Sequence, residues 1–350
     1  MANKWLKQLR GYEDSVNYDY DSFLEENCLR SNSPYQNWIF ANKGFGAPRN
    51  SAVLLFSEPK AGKSLNVYDF TLNMQKNDKE GHAIIFNTEH RGALQHNVFP
   101  SIDKERCTIY DTNEPVEIFD RIETDIRAMV QDGFPLRILA IDSLTNIMGV
   151  KRGATDSVAN HLMGDRALTI QTGLGKLIPF CKRNKILLIA TSQMRANLDA
   201  GSYGPKEKMA ASWAERHAFE YFISFKRAGA AEDKMDIEGK TFEEDDIKDA
   251  RGNKLILGHK VYVKMEQSSI GQAGRAGVFT LDYKEGIINQ HEEIFWLGKN
   301  NGIIEMEGTK TYIIGKERFN GKKECALALR DDIELGKAVL FGVRQLDANK

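Results

Sequence analysis

The stretch Ser57-Glu58-Pro59-Lys60-Ala61-Gly62-Lys63-Ser64 constrains the fold of this chain more than any other. It follows the apolar run Ala52-Val53-Leu54-Leu55-Phe56, which reads as a buried strand, and leads into Ser64 to Phe70, where Val67 and Phe70 recur at helical spacing. Strand, loop and helix in that order are the context of a phosphate loop. In the pattern G-x-x-x-x-G-K-[ST], backbone N–H groups cradle phosphates at a helix N-terminus, the lysine reaches the β/γ-phosphates and the hydroxyl ligates Mg²⁺. Ser57, Glu58, Pro59, Lys60, Ala61, Gly62, Lys63, Ser64 and Leu65 are therefore the candidate nucleotide contacts, and Ser64 a candidate magnesium ligand. One position departs, because Ser57 stands where the pattern has glycine. A serine starts this turn only if its φ stays negative or the strain is absorbed, so a slightly remodelled loop is expected.

A chain of 350 residues, 41% hydrophobic and 28% charged, has room for one large domain with appendages or for two domains. Its 48 basic and 49 acidic residues leave a net charge of −1, so a nucleic-acid partner has to be met by a local basic patch. Cys28, Cys107, Cys181 and Cys325 form no CxxC pair and read as buried free thiols in a reducing compartment, without a zinc site. Met1 to Leu6 is too short and polar for a signal peptide, and no 18-residue apolar run occurs. A cytoplasmic or nucleoid-associated protein without a membrane partner is expected.

Residues 1–34 read as an N-terminal helical leader. Trp5, Leu6 and Leu9 share one helical face, and an acidic stretch with aromatics runs from Tyr12 to Glu26. Such a face either packs in the core or docks on a neighbouring subunit. The ATPase core is expected over 35–288. After the phosphate-loop helix, Ala83-Ile84-Ile85-Phe86 ends in Asn87-Thr88-Glu89-His90, which puts Glu89 at the C-terminal edge of a strand, where open parallel sheets bind ligands. A carboxylate there can orient and polarise the water that attacks a γ-phosphate; the other reading is a helix cap. Next come a short strand, Cys107 to Tyr110, and a helix capped by Asn113, with Pro115 in its first turn and Ile118, Ile122, Ile126 and Met129 as its buried stripe. The run Ile138-Leu139-Ala140-Ile141 ending in Asp142 has the Walker B arrangement, in which the carboxylate completes a Mg²⁺ shell through Ser64 or through water.

From Met148 to Gly164 the chain reads as a loop, followed by a helix with Leu168, Leu174, Leu177 and Ile178 inside. The strand Ile186 to Thr191 then ends in Ser192-Gln193-Met194-Arg195, so Gln193 shares an edge with Glu89 and Asp142 and its amide can hydrogen-bond a γ-phosphate. A second irregular stretch spans Ala196 to Ala211. Lys151, Arg152, Arg195, Lys206 and Lys208 on these two loops can neutralise nucleic-acid phosphates, and Tyr203 can stack on a base; the other reading, which charge alone favours, is two solvated loops. Gly153 and Asn197 complete the candidate DNA contacts. Further strands are expected at His217 to Lys226, His259 to Lys264 and Gly277 to Tyr283, the last closing the sheet. Glu232 to Lys254 reads as an inserted loop or flexible hairpin, and 289–350 as a small α-rich terminal domain running from Ile294, Phe295 and Leu297 to Phe341 and Leu346.

With these elements placed, the chain resembles the RecA family of strand-exchange ATPases, and its phage UvsX-like branch more than cellular RecA. The matching residues are Gly62-Lys63-Ser64, Asn87-Thr88-Glu89-His90, Ile141-Asp142-Ser143, Ser192-Gln193, Ala218 to Phe222 and Tyr283-Lys284-Glu285-Gly286-Ile287. The resemblance implies an α/β fold with a mostly parallel twisted sheet flanked by helices. It implies that Lys63 and Ser64 hold ATP and Mg²⁺, that Glu89 activates water, that Asp142 supports the metal and that Gln193 couples nucleotide to DNA. A ring of His96 or Phe99 would stack on adenine. Protomers would assemble into a helical filament on single-stranded DNA and pair it with a homologous duplex, with mediator and single-strand-binding proteins as further partners.

The late-strand lysine or arginine residues that reach a neighbour's γ-phosphate in that family are missing from Met265-Glu266-Gln267-Ser268-Ser269. Lys264 or Arg275 is the candidate substitute; without either, hydrolysis is expected to be slow. Two other functions fit the same motifs: a hexameric replicative helicase, whose edge strand has a Ser-Gln-X-X-Arg-like run, and a filament protein that uses ATP as a structural clamp.

Overall fold

The computed structural model describes residues 25–42, 45–91, 101–149, 165–196, 207–209, 217–229, 235–248, 254–269 and 271–348. Six parallel strands make up one side of a sheet: β1 (Ala52–Ser57), β2 (His82–Asn87), β3 (Cys107–Asp111), β4 (Leu136–Asp142), β5 (Leu187–Ala196) and β6 (Tyr221–Arg227). Three antiparallel strands, β7 (Gly258–Ser268), β8 (Ala276–Asp282) and β9 (Gly286–Ile288), extend it, in the order β9-β8-β7-β6-β1-β5-β4-β2-β3. The sheet expected to end at Gly277 to Tyr283 thus gains one more strand. Asp282 Oδ1 accepts the N–H groups of Lys284 and Glu285, both at 2.8 Å, and Gly286 (φ 83°) turns the chain back instead of leading it away.

Alternation along each strand divides the core. Val53 and Leu55 of β1 join one apolar cluster, and Ala52, Leu54 and Phe56 join the other. The first face is covered by α1 (Pro34–Trp38) through Tyr35 and by α2 (Lys63–Asn77) through Val67, Phe70 and Met74. The second is covered by the helical segment 116–131, here α3, and by α4 (Asp165–Arg183). Burial on both faces is why the central strands read as unbroken apolar runs.

Two helix readings need correction. Ile118, Ile122 and Ile126 are buried, but Met129 is 42% exposed, because α3 winds as wide π-type turns over Val116–Asp120 and Ile122–Ile126 before its last α-turn. Asn113 does not cap it; Pro115 holds that position without a side-chain bond. In α4, Leu174, Leu177 and Ile178 are buried while Leu168 is 64% exposed, since six residues before Leu174 lies the opposite helix face. Within the charged stretch read as loop or hairpin, Glu243–Lys248 pairs antiparallel with Lys254–Ile256. All four cysteines are buried thiols outside any disulfide. Among the described residues no helix is long and apolar enough to cross a membrane.

The C-terminal part combines α5 (Gln290–Asn300), α6 (Lys322–Asp331) and α7 (Ile333–Ala348) with an antiparallel sheet of Glu305–Glu307, Thr311–Ile314 and Asn320-ended Glu317–Asn320. Its core holds Phe295, Ile304, Tyr312, Phe319, Leu329 and Val339; Phe341 and Leu346 are exposed. Trp5, Leu6 and Leu9 lie outside the described residues. Residues that follow are tied to both larger parts: Cys28–Leu29 pairs with Ala47–Pro48, and Asn32 binds Asp69 of α2. Arg275 donates to Trp38 O (3.1 Å) and to both carboxylate oxygens of Asp347 in α7 (2.7 and 2.9 Å), with its guanidinium 4.7 Å from the Trp38 ring centre.

Glu293 of α5 accepts the Ser33 hydroxyl (2.5 Å) and the Tyr35 N–H (3.0 Å) on Oε2, while its Oε1 is buried without a hydrogen-bond partner among the described residues. Burial pushes this carboxyl well above its ordinary value of 4.5, against the lowering effect of those two donors. The folded protein therefore keeps a proton that the unfolded chain releases, and stability attributable to Glu293 declines as pH rises from about 4.5 toward the folded value. Glu293→Gln retains an acceptor and removes the ionisation. Its melting temperature relative to wild type is expected to climb as pH is raised above 5; parallel melting curves across pH 5 to 9 would count against the assignment.

Candidate functional site

The C-terminal ends of the parallel strands open into a cleft of about 1240 Å³. On one side the turn after β1 leads into α2, whose first N–H groups have no intrahelical acceptor. Ser57 stays in the extended strand, register partner of Gln193 on β5 and of Phe225 on β6. The left-handed conformations of the turn fall instead on Lys60 (φ 64°) and Gly62 (φ 97°). A Cβ on Gly62 would lie 2.9 Å from Leu281 Cδ2, the end of a side chain that can shift, so it is the positive φ that requires the glycine. The serine in place of the first glycine is thus accommodated without positive φ, and the remodelling consists of an added bond: Ser57 Oγ accepts Lys63 Nζ at 2.7 Å.

Lys63 Nζ also donates to Ser57 O and Glu58 O, each at 3.2 Å. Burial pulls its ammonium below the ordinary lysine value, opposed by the charges of Asp142 and Glu89. Of the loop, Pro59, Lys60, Gly62, Lys63, Ser64 and Leu65 line the cleft; Ser57, Glu58 and Ala61 do not. Asp142 lies below the lining, 3% exposed at the end of β4. Burial raises its carboxyl above the usual range, while the hydroxyls of Ser64 and Thr191 lower it, Thr191 donating at 2.5 Å. A buried carboxylate next to a serine hydroxyl is the hard oxygen donor set that suits Mg²⁺, whose charge would offset the desolvation.

Glu89 follows β2 by two residues. Its N–H donates to Asn87 Oδ1 (3.0 Å), and Thr88 laces β2 to β4 through Thr88 N to Asp142 O (2.7 Å), Thr88 Oγ1 to Ser143 O (2.7 Å) and Ser143 N to Thr88 Oγ1 (2.8 Å). No helix begins at Thr88 or Glu89, so neither residue is a cap. Gln193 Nε2 donates to Glu89 Oε1 at 2.9 Å, and Arg91 Nη1 lies 3.4 Å from Glu89 Oε2. The structure therefore brings Lys63, Glu89 and Gln193 to one cleft, with Ser64 at its wall and Asp142 beneath. Asn66 Oδ1 on α2, Asn87 Nδ2 at the end of β2 and Ser143 Oγ just after β4 are buried without partners among the described residues.

Arg195 also lines the cleft, and its side chain is exposed. Lys208 belongs to the short strand Glu207–Met209, which pairs antiparallel with the outer end of β5, Arg195 opposite Lys208. His96, Lys151, Arg152, Gly153, Asn197, Tyr203 and Lys206 lie outside the described residues. Of the two possible substitute cations, Arg275 is held by Asp347, and Lys264 is bound at 2.6 Å by Glu266, which also accepts Ser224 Oγ at 2.8 Å.

Several cleft residues carry no signal in the sequence. Thr145 Oγ1 accepts the Gln193 N–H at 3.1 Å, and Arg166 binds Leu144 O and Ile147 O at 2.7 and 3.1 Å, fixing the chain after Asp142. The far wall is Arg227, His259 and Tyr283. Arg227 donates to the Tyr283 hydroxyl, which lies 3.0 Å from His259 Nδ1. Burial, then the Arg227 charge, pulls His259 down to about 4, so its ring is neutral near pH 7. Tyr283 was legible only as part of a turn leaving the core.

No protein-family profile matches the chain. It is 23% identical over 304 residues to the protein RecA of Methylococcus capsulatus, covering 86% of this chain and 78% of that one. To the protein RecA of Mesorhizobium japonicum it is 19% identical over 300 residues, covering 86% and 74%. The helix-flanked, mostly parallel sheet is consistent with a RecA-like α/β fold, and similarity spread over most of both chains supports a relationship to the RecA family.

Proposed function

We propose that this protein is a recombinase-type, DNA-dependent ATPase of the UvsX-like kind, which forms helical filaments on single-stranded DNA and pairs it with a homologous duplex in the cytoplasm of its host. The observation that carries this reading is the 2.9 Å bond between Gln193 and Glu89 across the cleft that Lys63 lines. It joins a carboxylate able to activate water to the strand from which the second basic loop departs.

In this reading Lys63 leaves Ser57 for the β/γ-phosphates and Gln193 turns to the γ-phosphate. Ser64 and Asp142 hold Mg²⁺, which when bound withdraws charge from the phosphate oxygens. Water gives a proton to Glu89 as its oxygen bonds to the γ-phosphorus; the bond from that phosphorus to the bridging oxygen breaks, and the electron pair leaves on ADP. Lys151, Arg152, Gly153, Arg195, Asn197, Tyr203, Lys206 and Lys208 contact DNA, and mediator and single-strand-binding proteins act on the filament. The match over most of two RecA proteins supports a recombinase over a ring helicase.

A second reading, an ATP-clamped filament without turnover, is favoured by the engagement of Arg275 and Lys264 inside the protomer. ATP turnover with and without single-stranded DNA separates the two. Glu89→Gln is expected to keep ATP affinity within a few-fold while kcat falls about 100-fold or more, the range of a lost general base. Unchanged turnover in that variant removes Glu89 from the role. Electron microscopy with ATP and single-stranded DNA should show open helices; closed rings would favour the helicase.

A further inference from the structure

With Arg275 held by Asp347 and Lys264 by Glu266, the question is which cation serves the γ-phosphate. The cleft itself offers several. Arg166 is bound to the carbonyls of Leu144 and Ile147, and Arg227 is bound to Tyr283. Arg91 differs from both. It touches Glu89, the residue assigned to the water, and its side chain is 67% exposed while that of Glu89 is 17% exposed. The pair is long, at 3.4 Å, and single-pronged, so the guanidinium gives it up at little cost.

We propose that Arg91 is a catalytic residue acting in cis: it leaves Glu89 when a nucleoside triphosphate enters, binds the γ-phosphate oxygens and stabilises the charge that develops there during transfer. This rests on the reading of the cleft as an ATPase site. A triphosphate terminus carries more negative charge than one carboxylate, and a planar guanidinium matches its oxygens with two donors. Departure of Arg91 also frees Glu89 Oε2 to accept the proton from water, as the turn of Gln193 to the γ-phosphate frees Oε1. One movement thus supplies the cation and uncovers the base. A cation placed in the same chain makes each site independent of a neighbour's side chain for its chemistry, as an intramolecular arginine does in other phosphoryl-transfer sites.

The test is steady-state ATP turnover by the full chain on single-stranded DNA, together with affinities for ADP and a non-hydrolysable ATP analogue. Arg91→Ala is expected to lower kcat at least 100-fold with ADP affinity unchanged, and Arg91→Lys, which keeps charge but loses the fork, to fall between. Where the wild type binds nucleotide without turning it over, the preference for the triphosphate analogue over ADP reads the same contact and should drop at least tenfold in Arg91→Ala. Unchanged kcat and unchanged preference would show a surface ion pair and overturn the proposal while the ATPase reading stands. Faster turnover in Arg91→Ala would make Arg91 a mere restraint on Glu89 and overturn it too. Failure of the wild type to bind nucleotide would remove both readings together.

Discussion

Lys63→Ala is expected to reduce affinity for Mg-ATP at least 100-fold and to bring turnover to the background rate. The ammonium is already buried and aimed, with Ser57 O, Ser57 Oγ and Glu58 O as its acceptors among the described residues, at 3.2, 2.7 and 3.2 Å. Two of these are weak backbone contacts, and none carries charge, whereas hydrogen bonds to charged groups contribute about 1.5–3 kcal/mol each. Exchanging them for phosphate oxygens is therefore strongly favourable, and burial sharpens the exchange, since it already disfavours the uncompensated ammonium. The substitution has a second effect, because Lys63 is a positive charge acting on the buried Asp142 carboxylate. Its loss removes one of the influences that lower the Asp142 carboxyl. Titration calorimetry with Mg-ATP, with the melting temperature as a control for folding, measures the loss; affinity within threefold of wild type would show that the loop does not bind phosphate.

Asp347→Ala is expected to destabilise the folded protein by about 3–5 kcal/mol, the usual cost of leaving one member of a buried ion pair unpaired. Asp347 is 4% exposed and Arg275 11%, and the two oxygens face the two terminal nitrogens of the guanidinium. The same arginine stacks on Trp38 and binds its carbonyl, so one residue just before β8 joins α7 to α1. Removing the carboxylate leaves the guanidinium in an apolar setting with one acceptor. Urea denaturation followed by tryptophan fluorescence should show an earlier transition, and a change below about 1 kcal/mol would place the pair among solvent-screened surface bridges. The same bonds engage the Arg275 fork within its own chain.

Much of the site was legible because of how a parallel sheet is buried. Strands covered on both faces appear as apolar runs, and the residues that break those runs, Glu89, Asp142 and Gln193, mark the edge where ligands gather. Residues whose function depends on a neighbour were not legible in this way. Arg91 follows Glu89 by two positions in a segment with no periodicity, and only the folded chain shows its guanidinium near the carboxylate. Arg227 and His259 come from two strands and Tyr283 from the turn after β8, and nothing in their spacing relates them. The exposure of Met129 and Leu168 was hidden for a different reason, since a wide helical turn and a six-residue offset both rotate an apolar side chain out of a stripe assumed to be regular.

By itself the sequence determined the order of strand, phosphate turn and helix, the polar ends of three later strands and the resemblance they compose. These depend on local backbone preference and on which side chains avoid water, both of which are written along the chain. Only the tertiary structure decided that β5 lies beside β1, with Gln193 level with Ser57, while β2, the next strand in sequence, sits two places beyond. It also decided that Ser57 escapes strain by staying in its strand and that Arg275 is occupied within its own protomer. Strand order and ion pairing arise from contacts between distant segments, and those contacts exist only once the whole sheet has closed on its helices.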